Sequence, residues 1–198
     1  MKNLSKTAKI IIGVVAAVVV IAIIITASII GTKNEFAVMQ ETIESKEANL
    51  DVALQRRADV ITNIAEAVKS FSAHETEVFD KVLEARQNLI NADSLEDKAN
   101  ADSELTSALQ DLYVIVEAYP ELKSDAAYVT LMDEIEGSEN RVATARKDYN
   151  DAVKAYNSKI VRFPSSVVAN MFGYEKAEYF EAAAGTENAP DVGELLGD

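Results

Sequence analysis

The chain has 198 residues, a formal net charge of -14 at pH 7, and no cysteine, which excludes a disulfide framework, a thiolate metal site and a cysteine nucleophile. Asp and Glu outnumber Lys and Arg by 33 to 19, which argues against a nucleic-acid partner because phosphate binding needs a basic surface. Seven glycines and three prolines leave little turn material for a sheet protein, so we expect an all-α fold.

The first predicted element is an uncharged segment over residues 10–31, "IIIGVVAAVVVIAIIITASIIG". Its length matches the roughly 20 apolar residues that cross a bilayer as a helix. Lys2, Lys6 and Lys9 precede it, so the positive-inside rule makes residues 1–9 a short cytoplasmic N-terminus. A cleaved signal peptide is the alternative, but this apolar run is longer than the usual h-region. We predict an uncleaved single-pass anchor in the cell membrane, with the rest of the chain outside the cytoplasm.

Apolar residues at three- and four-residue spacings then predict four amphipathic helices. The second helix is expected to start at the capping box Ser72-Ala73-His74-Glu75, and "NADSLEDKANAD" is expected to form the turn before the third. Prolines are expected to end the third and fourth helices. The apolar stripes run from Phe36 to Phe71, Val78 to Ile90, Leu105 to Tyr119, and Tyr128 to Phe163.

The fourth stripe has a strict seven-residue repeat of the coiled-coil type, formed by Tyr128, Ile135, Val142, Tyr149, Tyr156 and Phe163. Short connections between four helices predict an up-and-down antiparallel four-helix bundle over residues 32–180, with long first and last helices forming a stalk from the membrane. Residues 181–198 are acidic and too polar to offset the entropy of ordering, so a disordered tail is predicted.

A polar seam is expected between the first and last helices of this bundle. If Glu35 lies level with Phe163, the helical rise of about 1.5 Å per residue brings Arg57 level with the region of Glu139. An Arg57–Glu139 ion pair would set the register, because either charge buried alone would be costly. A binding or catalytic site is the alternative. The seam comprises Arg56, Arg57, Glu139, Asn140, Arg141, Arg146, Tyr149, Asn150, Tyr156 and Asn157.

Within this seam we expect the asparagines to make hydrogen bonds at the helix flank. The tyrosine rings are expected in the core, with each hydroxyl reaching a partner.

Motifs for catalysis or metal binding are missing from the sequence. A di-iron bundle needs Glu-x-x-His on two helices, but the only histidine is His74 and Phe71 stands three residues before it. The sequence also contains no Gly-x-Ser-x-Gly, P-loop or Gly-x-Gly-x-x-Gly motif. We therefore predict no enzymatic activity, no cofactor and no metal.

Several segments resemble the LemA family of bacterial membrane proteins: "LDVALQRRADVITNIAEAVKSFSAHE", "VEAYPELK", "ENRVATARKDYNDAVKAYN", and "FP" followed by "GY" and "YF". The resemblance implies an N-terminal transmembrane segment and a four-helix bundle. It supplies no catalytic residues, since the molecular activity of the family is unsettled. Family members often have proline where this chain has Thr62, and tryptophan where it has Glu47. Without the proline, the helix is expected to continue through Thr62.

These features favour a membrane-anchored, non-enzymatic scaffold that binds other envelope or membrane proteins, with homo-oligomerisation left open. An accessory ligand-binding sensor is the alternative, although about nine cytoplasmic residues are too few for an output domain and it would signal through a partner. A hydrolase using Glu139, Arg141 or Arg146 is a third hypothesis, for which the sequence offers no nucleophile.

Overall fold

The computed structural model describes residues 6–69, 76–123 and 126–181. These residues form helices and no strand, so the all-α prediction is confirmed for the described chain. There are five helices of eight residues or more and a single helical turn. Their bounds are α1 Lys6–Lys69, α2 Thr76–Asn91, α3 Leu95–Glu117, α4 Pro120–Lys123, α5 Ala126–Val161 and α6 Ser165–Phe172.

The long helix α1 contains both the predicted anchor and the first predicted amphipathic helix, with no break between them. It continues through Thr62, as expected from the missing proline. Its N-terminal part includes an 18-residue window with a mean hydropathy of 3.3, none of it buried by the described chain. This helix is long and apolar enough to cross a membrane. The predicted capping box at Ser72, the neighbouring His74 and the tail after residue 181 lie outside the described residues.

Helix α3 begins at Leu95, earlier than the sequence pattern indicated. Much of "NADSLEDKANAD" is therefore helical, and the connection from α2 is confined to residues 92–94. Ser94 caps the helix, because its Oγ accepts a hydrogen bond of 3.0 Å from the backbone N–H of Asp97. The Asn and Asp residues after this cap lie in the helix rather than in a turn.

The seven-residue repeat of α5 ends earlier than predicted. Tyr128, Ile135, Val142, Tyr149 and Tyr156 are all buried. The sixth member, Phe163, lies beyond the end of α5 and is 84% exposed. The helix stops at Val161, just before Pro164, so the predicted stop is confirmed while the predicted burial of Phe163 is wrong.

The described chain divides into two compact units. The anchor unit comprises residues 6–43 and 154–177, and its buried apolar side chains are Phe36, Ile43, Tyr156, Val168 and Ala169. The main unit comprises residues 44–69, 76–123, 126–153 and 178–181. In the main unit α2 packs against α3, and the core is built from apolar positions of all four longer helices that contribute to it, including Leu50, Ile61, Val82, Leu105, Leu112, Ile135 and Val153.

Candidate functional site

A buried ionic cluster links three helices of the main unit. Arg57 on α1 is 2% exposed; its Nη1 donates to Asp102 Oδ1 on α3, and its Nη2 donates to Thr106 Oγ1 at 3.0 Å. The Thr106 hydroxyl donates to the Asp102 carbonyl at 2.9 Å, which leaves its oxygen free to accept from the guanidinium. Arg86 on α2 donates from Nε to the Ala58 carbonyl of α1 at 2.9 Å. These bonds fix α1 against α2 and α3.

The partner of Arg57 differs from the predicted one. Glu139 is exposed, and the inward position of α5 is taken by Ser138, which is 2% exposed. The reason is helical spacing, since Ile135, Ser138 and Val142 follow each other at three and four residues on one face. Ser138 satisfies its own hydroxyl by donating to the Ile135 carbonyl at 2.7 Å. The predicted Arg57–Glu139 pair is therefore replaced by Arg57–Asp102.

Two adjacent residues of α5, Tyr149 and Asn150, hold an extended C-terminal segment in the main unit. The Tyr149 hydroxyl donates to the Glu178 carbonyl at 2.9 Å. Asn150 Nδ2 donates to the Phe180 carbonyl at 3.0 Å, and the Phe180 N–H donates to Asn150 Oδ1 at 2.9 Å. Burial, with smaller contributions from the Glu47 and Glu178 carboxylates, raises the pKa of Tyr149 to about 12. The Asn150 side chain thus makes two hydrogen bonds to the backbone of Phe180, one as donor and one as acceptor.

The anchor unit contains the same two-bond arrangement at Asn157. Its Nδ2 donates to the Ala177 carbonyl at 2.9 Å, and the Ala177 N–H donates to its Oδ1 at 2.9 Å. The neighbouring Tyr156 ring is buried and meets the Phe36 ring edge-on, with 6.0 Å between centroids. Burial raises the pKa of Tyr156, whose buried hydroxyl has no hydrogen-bond partner among the described residues. Asn150 and Asn157 therefore each bind the backbone of the C-terminal segment within their own unit. The Tyr149 hydroxyl bonds to the same segment, and the Tyr156 ring packs against Phe36.

A groove of about 540 Å³ lies between α1 and α5 of the main unit. Near one end Lys46 Nζ donates to Asp148 Oδ2 at 2.8 Å, and this contact lowers the pKa of Asp148. One of its apolar lining residues is Val52, which is 69% exposed. The complete lining is Lys46, Asn49, Val52, Ala53, Arg56, Asn140, Arg141, Thr144, Ala145 and Asp148.

Three predicted seam residues, Arg56, Asn140 and Arg141, come together in this groove. In the described part of the chain, neither arginine forms an ion pair with a carboxylate. Arg141 Nε donates only to the Gly137 carbonyl of its own helix, at 3.2 Å. The groove therefore presents two guanidinium groups beside the apolar side chains of Val52, Ala53 and Ala145. This positive charge contrasts with the strongly negative net charge of the chain.

The remaining predicted residues, Glu139 and Arg146, line a separate cavity of about 250 Å³ that also borders Arg57 and Asp102. Its hydroxyl groups bond to nearby backbone, as when Ser103 Oγ donates to the Ala99 carbonyl at 3.0 Å. Within residues 6–69, 76–123 and 126–181, no three His, Asp or Glu side chains gather as a metal-binding group. The cavity thus brings together charges but no pairing of a nucleophile with a base.

Comparison with known proteins decides the family. A family model described as the LemA family matches residues 46–193, which is more than half of the chain. The chain belongs to the LemA family. The magnetosome proteins MamQ 1 and MamQ 2 of Paramagnetospirillum magneticum are each 29% identical to it, over 85% of this chain and 73% of theirs. Protein LemA of Metamycoplasma hominis is 27% identical, over 84% of this chain and 76% of its own length.

The residues of the buried ionic cluster that sequence reasoning missed are Asp102 and Thr106. Asp102 lies three residues before the buried Leu105, so it continues the apolar stripe of α3. That signal was hidden because the surrounding Asn and Asp residues favoured a turn. Recognising Ser94 and Asp97 as a helix cap would have placed Asp102 on the inner face.

Proposed function

We propose that this LemA-family protein is a membrane-anchored, non-enzymatic interaction protein. In this proposal its helices form an antiparallel four-helix bundle outside the cell membrane, and the groove between α1 and α5 binds an acidic segment of another envelope protein. The observation that carries the proposal is a pair of arginines, Arg56 and Arg141, that have no carboxylate partner among the described residues and lie beside the exposed Val52.

The contacts of the main unit support the bundle. Residue numbers along the groove rise on α1 as they fall on α5, from Lys46 beside Asp148 to Arg56 near Asn140. Antiparallel neighbours are what short connections between successive helices produce. The buried bond between Arg57 and α3, together with the packing of α2 on α3, supports the inclusion of all four helices.

The chemistry of the groove supports an acidic partner. A guanidinium group has a planar set of donors that matches a carboxylate in two parallel hydrogen bonds. Arginine is also enriched among the residues that contribute most of the binding energy at protein interfaces. A helix that carries Asp or Glu beside small apolar residues would place its apolar face on Val52 and its carboxylates on Arg56 and Arg141.

The membrane orientation and the non-enzymatic role rest on other features of the chain. Three lysines before the apolar segment support a cytoplasmic N-terminus and an extracytoplasmic main unit. The absence of a catalytic grouping among the described residues supports a non-enzymatic role. For a small-ligand sensor, the cavity beside Arg57 and Asp102 is only about 250 Å³, below the roughly 300–1,000 Å³ of typical ligand pockets. The groove of about 540 Å³ is large enough, but it is an open surface on which Val52 is 69% exposed, which suits a protein segment better than a buried small molecule.

Site-specific photocrosslinking in intact cells tests the groove. A photoreactive amino acid at Val52 is compared with one at Val114, an exposed position on α3 that is 72% exposed. We expect a discrete adduct with a second protein from Val52 and none from Val114. Combining Arg56→Glu with Arg141→Glu should abolish the adduct, whereas Lys147→Glu, a charge reversal at an exposed lysine of α5 outside the groove, should preserve it.

Other outcomes would reject this assignment. Equal adducts from Val52 and Val114, or an adduct that survives the double charge reversal, would show that the groove does not select the partner. An adduct made only of two copies of this chain would replace the envelope partner with self-association.

A further inference from the structure

Helix α6 and the turn before it carry an apolar surface that the described chain leaves uncovered. No charged residue occurs from Phe163 to Tyr174. Val168 and Ala169 face inward and are buried, whereas Val167 and Met171, four residues apart on another face, are each 56% exposed. With Phe163 at 84% and Phe172 at 44%, four large apolar side chains meet solvent within ten residues. A concentration of this kind marks a surface that contacts a partner or a membrane.

Contacts within the anchor unit place α6 beside the end of the apolar segment of α1. Lys33 Nζ lies 4.8 Å from the centroid of the Phe172 ring. Just after α6, the Tyr174 ring lies 4.8 Å from the Phe36 ring, and its hydroxyl is 3.5 Å from the Lys33 carbonyl oxygen. Lys33 follows Gly31, the last residue of the uncharged segment, by only two residues, or about 3 Å along a helix.

The burial pattern of α1 shows independently where the folded part of the anchor unit begins relative to the apolar segment. Residues 9–28 are all exposed in the structure. Side chains covered by the anchor unit then recur at alternating three- and four-residue steps, beginning inside the uncharged segment: Ile29, Thr32, Phe36, Met39 and Ile43. The folded part of the anchor unit thus begins where the apolar segment ends, and leaves no gap of bare helix between them.

We propose that Phe163 and the exposed face of α6 insert into the surface of the same bilayer that α1 crosses. This inference rests on membrane anchoring by α1 and is independent of the groove. Headgroup layers add about 5–7 Å on each side of a hydrocarbon core. Amphipathic helices at membrane surfaces bury their apolar face by about 5–10 Å. A ring in contact with Lys33 lies within that range of the end of the apolar segment.

Local charge is compatible with a lipid surface, although the whole chain is acidic. Lys33 contacts α6 at Phe172, and Arg162 and Lys176 flank α6 in the sequence, where Glu175 is the nearest acidic residue. Glu35 is already ion-paired with Lys159. Lysine and arginine can keep their apolar stems along the membrane while their charged ends reach headgroup phosphates. A protein partner would have to enter the headgroup layer to reach the same side chains, so the bilayer is the better match.

Insertion would give the anchor unit a second membrane contact. A single helix leaves the unit free to rotate about the helix axis and to tilt. A second contact at α6 would restrict both motions. It would also keep four large apolar side chains away from water without a protein partner.

The full chain lacks tryptophan, so single tryptophans can report the depth of chosen positions. The variants are Phe163→Trp and Met171→Trp in α6 and its preceding turn, Val18→Trp within the apolar segment, and Val38→Trp as an exposed control on α1. Val38 is 65% exposed and lies about 10 Å beyond Gly31 by helical rise. Each full-length protein is placed in vesicles of phosphatidylcholine, with or without bromine near the headgroup end of the acyl chains.

We expect brominated lipid to remove roughly half or more of the emission from Phe163→Trp and Met171→Trp, and little from Val38→Trp, because bromine quenches only on close approach to the interface. Val18→Trp should show quenching by bromine placed deeper in the chains. Phe163 and Met171 are both exposed, so tryptophan at either position should leave the fold intact. An unchanged helical circular dichroism spectrum checks that each variant is folded.

The remaining outcomes overturn the inference in distinguishable ways. Quenching of Val18→Trp without quenching at Phe163 or Met171 would leave the anchor intact and place α6 in water. A blue-shifted but unquenched Phe163→Trp would mean that protein, such as a second copy of this chain, covers the surface. Loss of quenching at Val18 would remove the anchor itself and the inference with it.

Discussion

Replacing Arg57 by leucine tests whether the buried ion pair with Asp102 stabilises the main unit. Arg57 is 2% exposed, and the Asp102 side chain is 11% exposed. Arg57→Leu removes the hydrogen bond from Arg57 to Thr106 and leaves the Asp102 carboxylate buried without its counter-ion. Breaking one partner of a buried pair costs about 3–5 kcal/mol, so the unfolding temperature should fall by about 6–20 °C for a chain of this length.

The double replacement Arg57→Leu with Asp102→Leu separates two quantities: the net contribution of the ion pair to the free energy of unfolding, and the cost of burying one charge without its partner. Two apolar side chains of similar size should restore most of the lost stability, because replacing a whole buried ion pair is often neutral or stabilising. Arg56→Leu is the matched control; this exposed neighbour should change the free energy of unfolding by no more than about 0.5 kcal/mol.

Thermal and urea unfolding in detergent micelles, followed by circular dichroism, is measured for the wild type, Arg57→Leu, Asp102→Leu, the double variant and the control Arg56→Leu, which completes the double-mutant cycle. The reasoning is refuted if Arg57→Leu is no more destabilising than Arg56→Leu. It is also refuted if the double variant loses the full sum of the two single losses, because the two side chains would then act independently.

Three further predictions concern α5, the C-terminal segment and the start of α3. The buried Tyr149 hydroxyl should stay protonated to about pH 12; since its pKa is raised above the unfolded value of 10.0, its stabilisation is complete below pH 10 and lost between pH 10 and 12, and absorbance titration of wild type against Tyr149→Phe measures this. Asn150→Ala removes two hydrogen bonds to Phe180, should cost about 1–3 kcal/mol, and should speed hydrogen exchange of the Phe180 amide, whereas Asn140→Ala should not. Ser94→Ala removes the cap of α3 and should lower the free energy of unfolding by about 0.5–2 kcal/mol in urea titrations.

Each of these predictions has an outcome that contradicts it. Ser107→Ala is the control for Ser94, because this exposed hydroxyl bonds only to the carbonyl four residues earlier in the same helix; equal losses would reject the cap. Unchanged exchange at Phe180 after Asn150→Ala would show that other contacts hold the segment. An alkaline titration that is the same with and without Tyr149 above pH 10 would reject its raised pKa.

Several features of this LemA-family chain follow from sequence alone because they depend on local chemistry. An uncharged run over residues 10–31 has few alternatives to an apolar helix, and the scarcity of Gly and Pro leaves helices as the main secondary structure. Pro164 stops α5 at a predictable place because it disfavours helix in the residue before it. The sequence also predicted hydrogen bonds from the side chains of Tyr149, Asn150 and Asn157, and each of these side chains makes one in the structure.

The tertiary structure decided which side chains meet, because those contacts depend on where each helix begins and how it is rotated. The early start of α3 at Leu95 turns Asp102 inward and gives Arg57 a partner that lies 45 positions away in the sequence. Rotation of α5 places Ser138 inside and Glu139 outside, a difference of one residue that a register estimate cannot resolve. The exposed face of α6 depends in the same way on the contact of Phe172 with Lys33 and of the following Tyr174 with Phe36, since the apolar composition of α6 alone equally predicts burial in a core.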